Sequence, residues 1–350
     1  MTDAIRAAFA QQSHWCQELG SPFTALLMDQ IGQKLDRSTP VGQRILDWPG
    51  RPDARFDAVP LRLAGGLHAL VQRGTLPGLA ALYPPNPLPT AAALWSELAQ
   101  ALAHPDLNAW LDSAPQTNEV ARSAMLMAGL MTVTHDTGLP IALWELGSSA
   151  GLNLVLDRYR YTLGGLPAGQ PGAALHLAPE WRGPPPTVAP VHIASRRGAD
   201  LNPVDVTNPA DRERLLAYIW PDQAARLDRI ATAIGIAATN PPPIDRADAG
   251  AWTETHVHPT PGVATVVMHS IAFQYFPAET QARIADHLAT AGTQTTAQAP
   301  LTWLRYEVDE RFGTLPTLIL THWPGATERQ LGRGSAHGIW AEWFPSHTPA

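Results

Sequence analysis

Residues 141–159, "IALWELGSSAGLNLVLDRY", join an apolar run to a turn of five small residues and then to a helical pattern. Positions 141–146 predict a strand covered on both faces, because a short apolar run bounded by turn residues suits a buried parallel strand. Gly147 and Gly151 supply the backbone freedom that a sharp strand-to-helix turn requires. Such a turn has two uses. It can let a cofactor approach the backbone, or it can present Ser149 as a nucleophile.

The same alternation runs on to the C-terminus. Apolar runs at "PVHIAS", "PPIDRAD", "VATVVMHS", "LTWLRYEV", "TLILTHW" and "HGIWAEWF" are interleaved with helical patterns such as "DQAARLDRIATAIG" and "AETQARIADHLATAG". Residues 139–350 therefore predict an α/β domain, a doubly wound and mostly parallel sheet of about seven strands. Between its first two strands, residues 162–190 are rich in Gly and Pro, with a possible short strand "AALHLAPE". That stretch reads as a surface excursion or a lid beside a site.

Upstream the texture is helical, and residues 1–138 predict a helical domain without strands. Ser21-Pro22 reads as an N-cap followed by a proline whose missing N–H costs nothing there. Leu63, Leu67, Leu70 and Val71 share a helical face that Gly74 ends, and Gly138 closes the last helix.

The 350 residues are 45% hydrophobic and 16% charged with twelve Trp, which predicts a compact core. A net charge of -7 without a long basic run argues against nucleic acid held through its phosphates. The single cysteine, Cys16, removes disulfides and paired-cysteine zinc sites, and it reads as a small buried hydrophobe. No leader pattern and no membrane-spanning run is visible, so a cytoplasmic address and a small-molecule partner are expected, with no membrane partner. His256 and His258 read as loop residues, and no metal is expected.

Three chemistries use a strand, a small-residue turn and a helix. A phosphate loop needs a Lys after its last Gly, where Leu152 and Asn153 stand. A dinucleotide fingerprint needs glycines at Ser149 and Leu152. The acidic turn of S-adenosylmethionine-dependent methyltransferases, E/D-x-G-x-G-x-G, aligns as Glu145, Gly147, Ser149 and Gly151, with Ser148, Ala150 and Asn153 completing the candidate cradle. That reading predicts acidic residues at later strand ends. Asp200 is placed to accept ribose hydroxyls, Asp248 to accept an adenine amino group, and His269 and Ser270 to meet the substrate at the sheet's carboxyl edge.

Each residue has a plainer role as well. Asp200 and Asp248 read equally as turn or N-cap residues, and His269 as a hydrogen-bonded core histidine. The rival G-x-S-x-G elbow takes Ser149 as nucleophile with Asp309 or Glu310 and His337 downstream, but the strands and oxyanion loop that should precede it are missing. Asp157, Arg158, Tyr159 and Arg160 are expected along the first helix of the α/β half.

The motifs "ELGSSAGLNLVLDRYRY", "RRGADLNPVDV", "WPDQAARLDRI", "VVMHSIAFQYFP" and "AHGIWAEW" resemble a bacterial family of uncharacterised proteins, a domain-of-unknown-function group, over nearly the whole chain. The α/β half is similar to class I S-adenosylmethionine-dependent methyltransferases, which implies a Rossmann-like sheet, that cofactor and methyl transfer to a small acceptor. In such an enzyme His269 is the candidate general base and Tyr275 the residue orienting the acceptor. The chain departs from the pattern in Ser149 and in the 162–190 excursion, and it lacks the D/N-P-P-Y/F signature of amino methylation. A serine hydrolase and a non-catalytic S-adenosylmethionine- or nucleoside-binding protein are the alternatives.

Overall fold

The computed structural model describes residues 2–345. It consists of two compact units, Met1–Thr117 with Asn208–Asp228, and Asn118–Thr207 with Arg229–Ala350. In chain order the helices are α1 (Thr2–Glu18), α2 (Pro22–Lys34), α3 (Pro40–Leu46), α4 (Val59–Gln72), α5 (Pro77–Ala80), α6 (Ala91–Ala101), α7 (Leu107–Trp110), α8 (Ser123–Thr137), α9 (Pro209–Ala217), α10 (Ala224–Thr239), α11 (Ala249–His256) and α12 (Ala278–Gly292). Among the described residues none is long and apolar enough to cross a membrane.

The first unit is built from α1 to α7 and α9. Leu63, Leu67 and Leu70 of α4 are fully buried and Val71 packs at the edge of that core, as the spacing predicts. Ser21 does not cap α2 with its hydroxyl. Asp222, from the "WPDQ" stretch, accepts from the backbone N–H of Phe23 at 2.9 Å and of Thr24 at 3.0 Å. A carboxylate with two oxygens offers the exposed helix N–H groups a stronger acceptor than one hydroxyl. Residues around α9 belong here for the same kind of reason: His68 Nδ1 meets the Ala217 carbonyl at 3.2 Å, and Gly65 leaves room for the Tyr218 ring.

This division differs from a boundary at 138. Helix α8 belongs with the sheet because its residues 123–133 are buried all round, and a helix without a polar face has to be enclosed. Gly129 makes the close approach possible, since a Cβ there would lie 2.8 Å from Leu304 and 3.2 Å from Leu318.

The second unit is mixed α/β. Its strands are β1 (Ile141–Leu146), β2 (Arg160–Leu163), β3 (Leu166–Gly169), β4 (His176–Leu177), β5 (Glu180–Arg182), β6 (Ile193–Asp200), β7 (Ile244–Arg246), β8 (Ala264–Ser270), β9 (Leu301–Val308), β10 (Pro316–Trp323), β11 (Thr327–Gly334) and β12 (Trp340–Trp343). None precedes Ile141 among the described residues. Nine strands form one mostly parallel sheet in the order β5-β12-β11-β10-β9-β8-β1-β6-β7. The stretch from β7 to β9 is parallel throughout, whereas β9 to β12 run as an antiparallel meander. Nine replace the expected seven because β5 comes from the excursion and β11, "TERQLGRG", is too polar to register as an apolar run.

Both faces of the sheet are covered. Trp303 of β9 packs with Ile284 and Leu288 of α12 on one face, while its neighbour Leu304 faces α8 on the other. The helix expected after β1 does not form. Residues 152–155 are turns and Leu156–Arg158 a single 3-10 turn, followed by a small separate sheet in the order β3-β2-β4. The tyrosines explain it: Tyr159 donates to the Leu152 carbonyl at 2.7 Å and Tyr161 to the Leu156 carbonyl at 2.6 Å, taking acceptors that a helix would need. Asp157 and Arg158 therefore do not line a helix. Asp157 forms a bidentate pair with Arg196, and Arg158 donates to the Asn240 carbonyl.

Candidate functional site

The connections after β1 and β8 leave in opposite directions across the sheet, β6 and β7 on one side of β1 and β8 and β9 on the other. Such a divergence opens a crevice at the carboxyl ends of the strands, the usual ligand position in sheets of this kind. The 147–151 turn follows β1 at that end of the sheet. Gly147, Ser149 and Gly151 all have positive φ, 70°, 53° and 68°. For Gly147 and Gly151 this conformation comes with tight packing, because an added Cβ would lie 2.8 Å from Ala272 and 2.6 Å from Pro242 respectively. Ser149 adopts it as an L-residue, at a cost of roughly 1–2 kcal/mol.

The turn is held from below. Backbone N–H groups of Gly147 and Ser148 donate to the Ala199 carbonyl at 2.9 and 3.1 Å. Asp200 accepts from the N–H of Ser149 and of Asn202, each at 2.8 Å, so its carboxylate already braces the loops after β1 and β6. Ser148 is buried and donates to the Glu145 carbonyl at 2.8 Å.

Glu145 and Ser149 are different. Glu145 is 2% exposed and its Oε2 has no hydrogen-bond partner, and Ser149 is 4% exposed with its Oγ equally unpartnered. Burial pushes the Glu145 carboxyl well above its usual range, a hydrogen bond from Asn153 opposes the shift, Asp200 adds to it and Arg122 opposes it. Asn153 in turn accepts from Ser123 Oγ at 2.7 Å. Native proteins leave few buried polar atoms unpaired, and two within five residues, at the end of β1 and on the turn after it, call for an explanation.

His269 is fully buried on β8. The Trp303 indole N–H donates to its Nε2 at 3.0 Å, and an indole only donates, so Nε2 accepts and Nδ1 is the nitrogen that donates, to Glu307 Oε1 at 2.7 Å. Both ring nitrogens are engaged, which leaves no lone pair for a substrate proton. Glu307 Oε1 also accepts from the N–H of Ala272 and Phe273, so it ties down a turn that begins at Ile271, a β-branched residue at φ 47°. Ser270 is brought to the crevice by its carbonyl, which Arg122 holds at 2.8 Å. Tyr275 is 71% exposed.

Asp248 has the plainer role. It is the N-cap of α11, accepting from Ala251 N–H and Thr280 Oγ1, each at 3.0 Å, with Arg283 3.7 Å away. His256 stacks on Trp252, and no group of three potential metal ligands occurs among the described residues. Cys16 is fully buried, and burial pushes its thiol up to about 11. For the nucleophile elbow, no histidine bonds Ser149 Oγ among the described residues; His337 faces Glu119 at 3.9 Å and Asp309 pairs with Arg311.

One group of site residues was not anticipated, because it lies upstream of 138. Asn118 accepts from Leu152 N–H at 2.9 Å, and Arg122 bridges the carbonyls of Ser270 and Ala336. Glu119 is fully buried, with Arg229 at 3.6 Å. Gly338, at φ 65°, allows the "AHG" loop to close on Ala121, where a Cβ would lie within 2.6 Å. The available signal was "TNEVARS", a polar cluster set directly before an almost wholly apolar helix. A cavity of about 180 Å³ beside the turn, lined in part by Ala150, Val206 and Pro242, is smaller than an ordinary ligand pocket of about 300–1,000 Å³.

The chain belongs to the bacterial family described as "Uncharacterized protein conserved in bacteria (DUF2332)", whose model matches residues 6–343. No curated protein and no solved structure matches it.

Proposed function

We propose that this family member binds S-adenosylmethionine at the carboxyl ends of β1 and β6 and catalyses methyl transfer to a small-molecule acceptor. The observation that carries the proposal is the pair of buried polar atoms without partners, Glu145 Oε2 at the end of β1 and Ser149 Oγ on the turn that follows, where the connections diverge. The order β7-β6-β1-β8-β9 also agrees with the 3-2-1-4-5 order of a Rossmann-like sheet. Beyond β9 the sheet continues through the antiparallel strands β10 to β12.

The residues fit the cofactor's chemistry. A buried carboxyl with one open oxygen suits an ammonium group. Asp248, occupied as a cap, is left out of the reading. When bound, the cofactor supplies an electrophilic methyl group on a sulfonium. Glu145 would hold the ammonium as a carboxylate, its proton passing to solvent as the ligand enters, and Ala272 and Phe276, packed over Gly147, would cover that part of the turn. His269 acts through Glu307 to position the 271–273 turn, and it does not serve as the base. In-line transfer depends mostly on positioning, so this arrangement asks little proton transfer of the protein.

A non-catalytic S-adenosylmethionine- or nucleoside-binding protein is the second reading, favoured by the engagement of both His269 nitrogens. The hydrolase reading finds no support in a serine hydroxyl without a base. The test is ligand-induced stabilisation by S-adenosylmethionine and its demethylated product. At a hundredfold excess over Kd the expected gain is about 2.7 kcal/mol, and Gly147→Val and Glu145→Ala should abolish it. No shift at millimolar ligand would refute binding. Binding without release of the demethylated product in the presence of acceptor mixtures would leave the non-catalytic reading.

A further inference from the structure

The excursion that follows β1 builds a second cavity, which the proposed function does not use. Where a helix would ordinarily cover the sheet, the β2–β3 hairpin and residues 188–193 stand beside α8 and leave a space of about 530 Å³. The space opens to solvent along Pro167, Val188 and Pro190, which are exposed, and its volume lies within the range of small-molecule sites. Its lining runs to the starts of β6, the end of the sheet away from the 147–151 turn.

The lining has a definite chemistry. Met127 and Met131, one helical turn apart on α8 and nearly fully buried, supply two thioethers. Pro167, Val188 and Pro190 supply apolar wall, and the prolines contribute carbonyls without N–H groups. Asp157 is the single carboxylate, His192 is the other titratable side chain, and among the described residues neither Lys nor Arg lines the space. Arg196 grips Asp157 at 2.5 and 2.7 Å from outside that lining, and each carboxylate oxygen retains an acceptor position.

We propose that this cavity binds a hydrophobic amine. The thioethers and prolines take an aromatic or branched aliphatic body, for which Met is a soft and polarizable contact. Asp157 takes the ammonium through a charge-assisted hydrogen bond. An anion of the same shape lacks the ammonium that Asp157 would hold and is repelled by that carboxylate, so it binds more weakly even with His192 in the lining.

The test is a titration followed by NMR of methyl-labelled methionine, of which the chain has six. Tryptamine is the probe, with indole-3-propionate as its counterpart of opposite charge. The Met127 and Met131 methyl signals should move saturably with tryptamine, with Kd below about 1 mM, and indole-3-propionate should bind at least about tenfold more weakly. Asp157→Asn should weaken tryptamine about tenfold. Ala168→Phe, which fills the space from its wall, should abolish the response while the protein still unfolds cooperatively. Equal binding of the two probes, no response at either methionine, or a response confined to Met268 on β8 would each overturn the proposal. None of these outcomes depends on whether S-adenosylmethionine binds.

Discussion

Replacing Glu145 by Gln keeps the side chain's shape and removes its ionisation. The folded protein holds this carboxyl neutral well above the ordinary value of 4.5, first through burial and further through Asp200. The unfolded chain ionises it at its ordinary value. Between those two points the folded state binds one more proton than the unfolded state, so wild-type stability falls as pH rises. One proton corresponds to about 1.4 kcal/mol per pH unit. Glu145→Gln lacks this dependence, so its stability relative to wild type should climb at that slope above about pH 4.5 until the raised value is reached. Any fixed cost of fitting an amide beside Asn153 shifts the whole difference curve without changing its slope. Urea unfolding of both proteins at several pH values measures it. Parallel curves would refute the reasoning, since they would mean an ordinarily ionised Glu145. A measured slope together with undiminished S-adenosylmethionine binding by the variant would keep the buried acid and remove its cofactor role.

Ser149→Gly removes a left-handed L-residue and an unpartnered hydroxyl, so thermal unfolding should show a gain of about 1 kcal/mol after the added flexibility of the unfolded chain is subtracted. The variant should still bind S-adenosylmethionine; loss of binding would show that the hydroxyl itself contacts the ligand. His68 is held neutral by burial, with its affinity for a proton lowered from 6.5, so stability should be lost as pH falls below about 6.5, at about 1.4 kcal/mol per unit. His68→Gln should flatten that limb in pH-dependent urea melts, and an unchanged limb would assign it to other groups. Asp222→Ala should cost about 1–3 kcal/mol by removing the cap of α2, measured as the shift in urea midpoint at unchanged m-value. A loss below about 0.5 kcal/mol would mean that Ser21 can replace it.

The lettering of the chain carried its local instructions plainly. Alternating apolar runs and helical patterns placed β1, β6, β8, β9 and β10, because period and burial leave a trace in neighbouring residues. The helical face of α4 and the 147–151 turn were legible for the same reason: each depends on residues within one or two turns of chain. Glu145 and Ser149 were legible as candidates because a strand end followed by a small-residue turn is a local feature, and Asp200 because an acidic residue closes the β6 run.

What required folding was every role set by distant partners. The "GLNLVLDRY" pattern is helical in its spacing, yet Tyr159 and Tyr161 take the carbonyls the helix would use, and hydrogen bonds to buried hydroxyls leave no periodic signal. Ser21 looked like a cap until Asp222, 199 residues away from Phe23, supplied a better acceptor. His269 read by itself as a hydrogen-bonded core histidine and, within a methyltransferase, as a base; Trp303 and Glu307 occupy both its nitrogens from the neighbouring strand. Asn118, Glu119, Arg122 and Ser123 sat in a stretch that read as helical domain, and they reach the site only because α8, apolar all round, has to be buried against the sheet. Local pattern encodes which backbone forms; which polar atoms end up paired is settled when the core closes and water leaves.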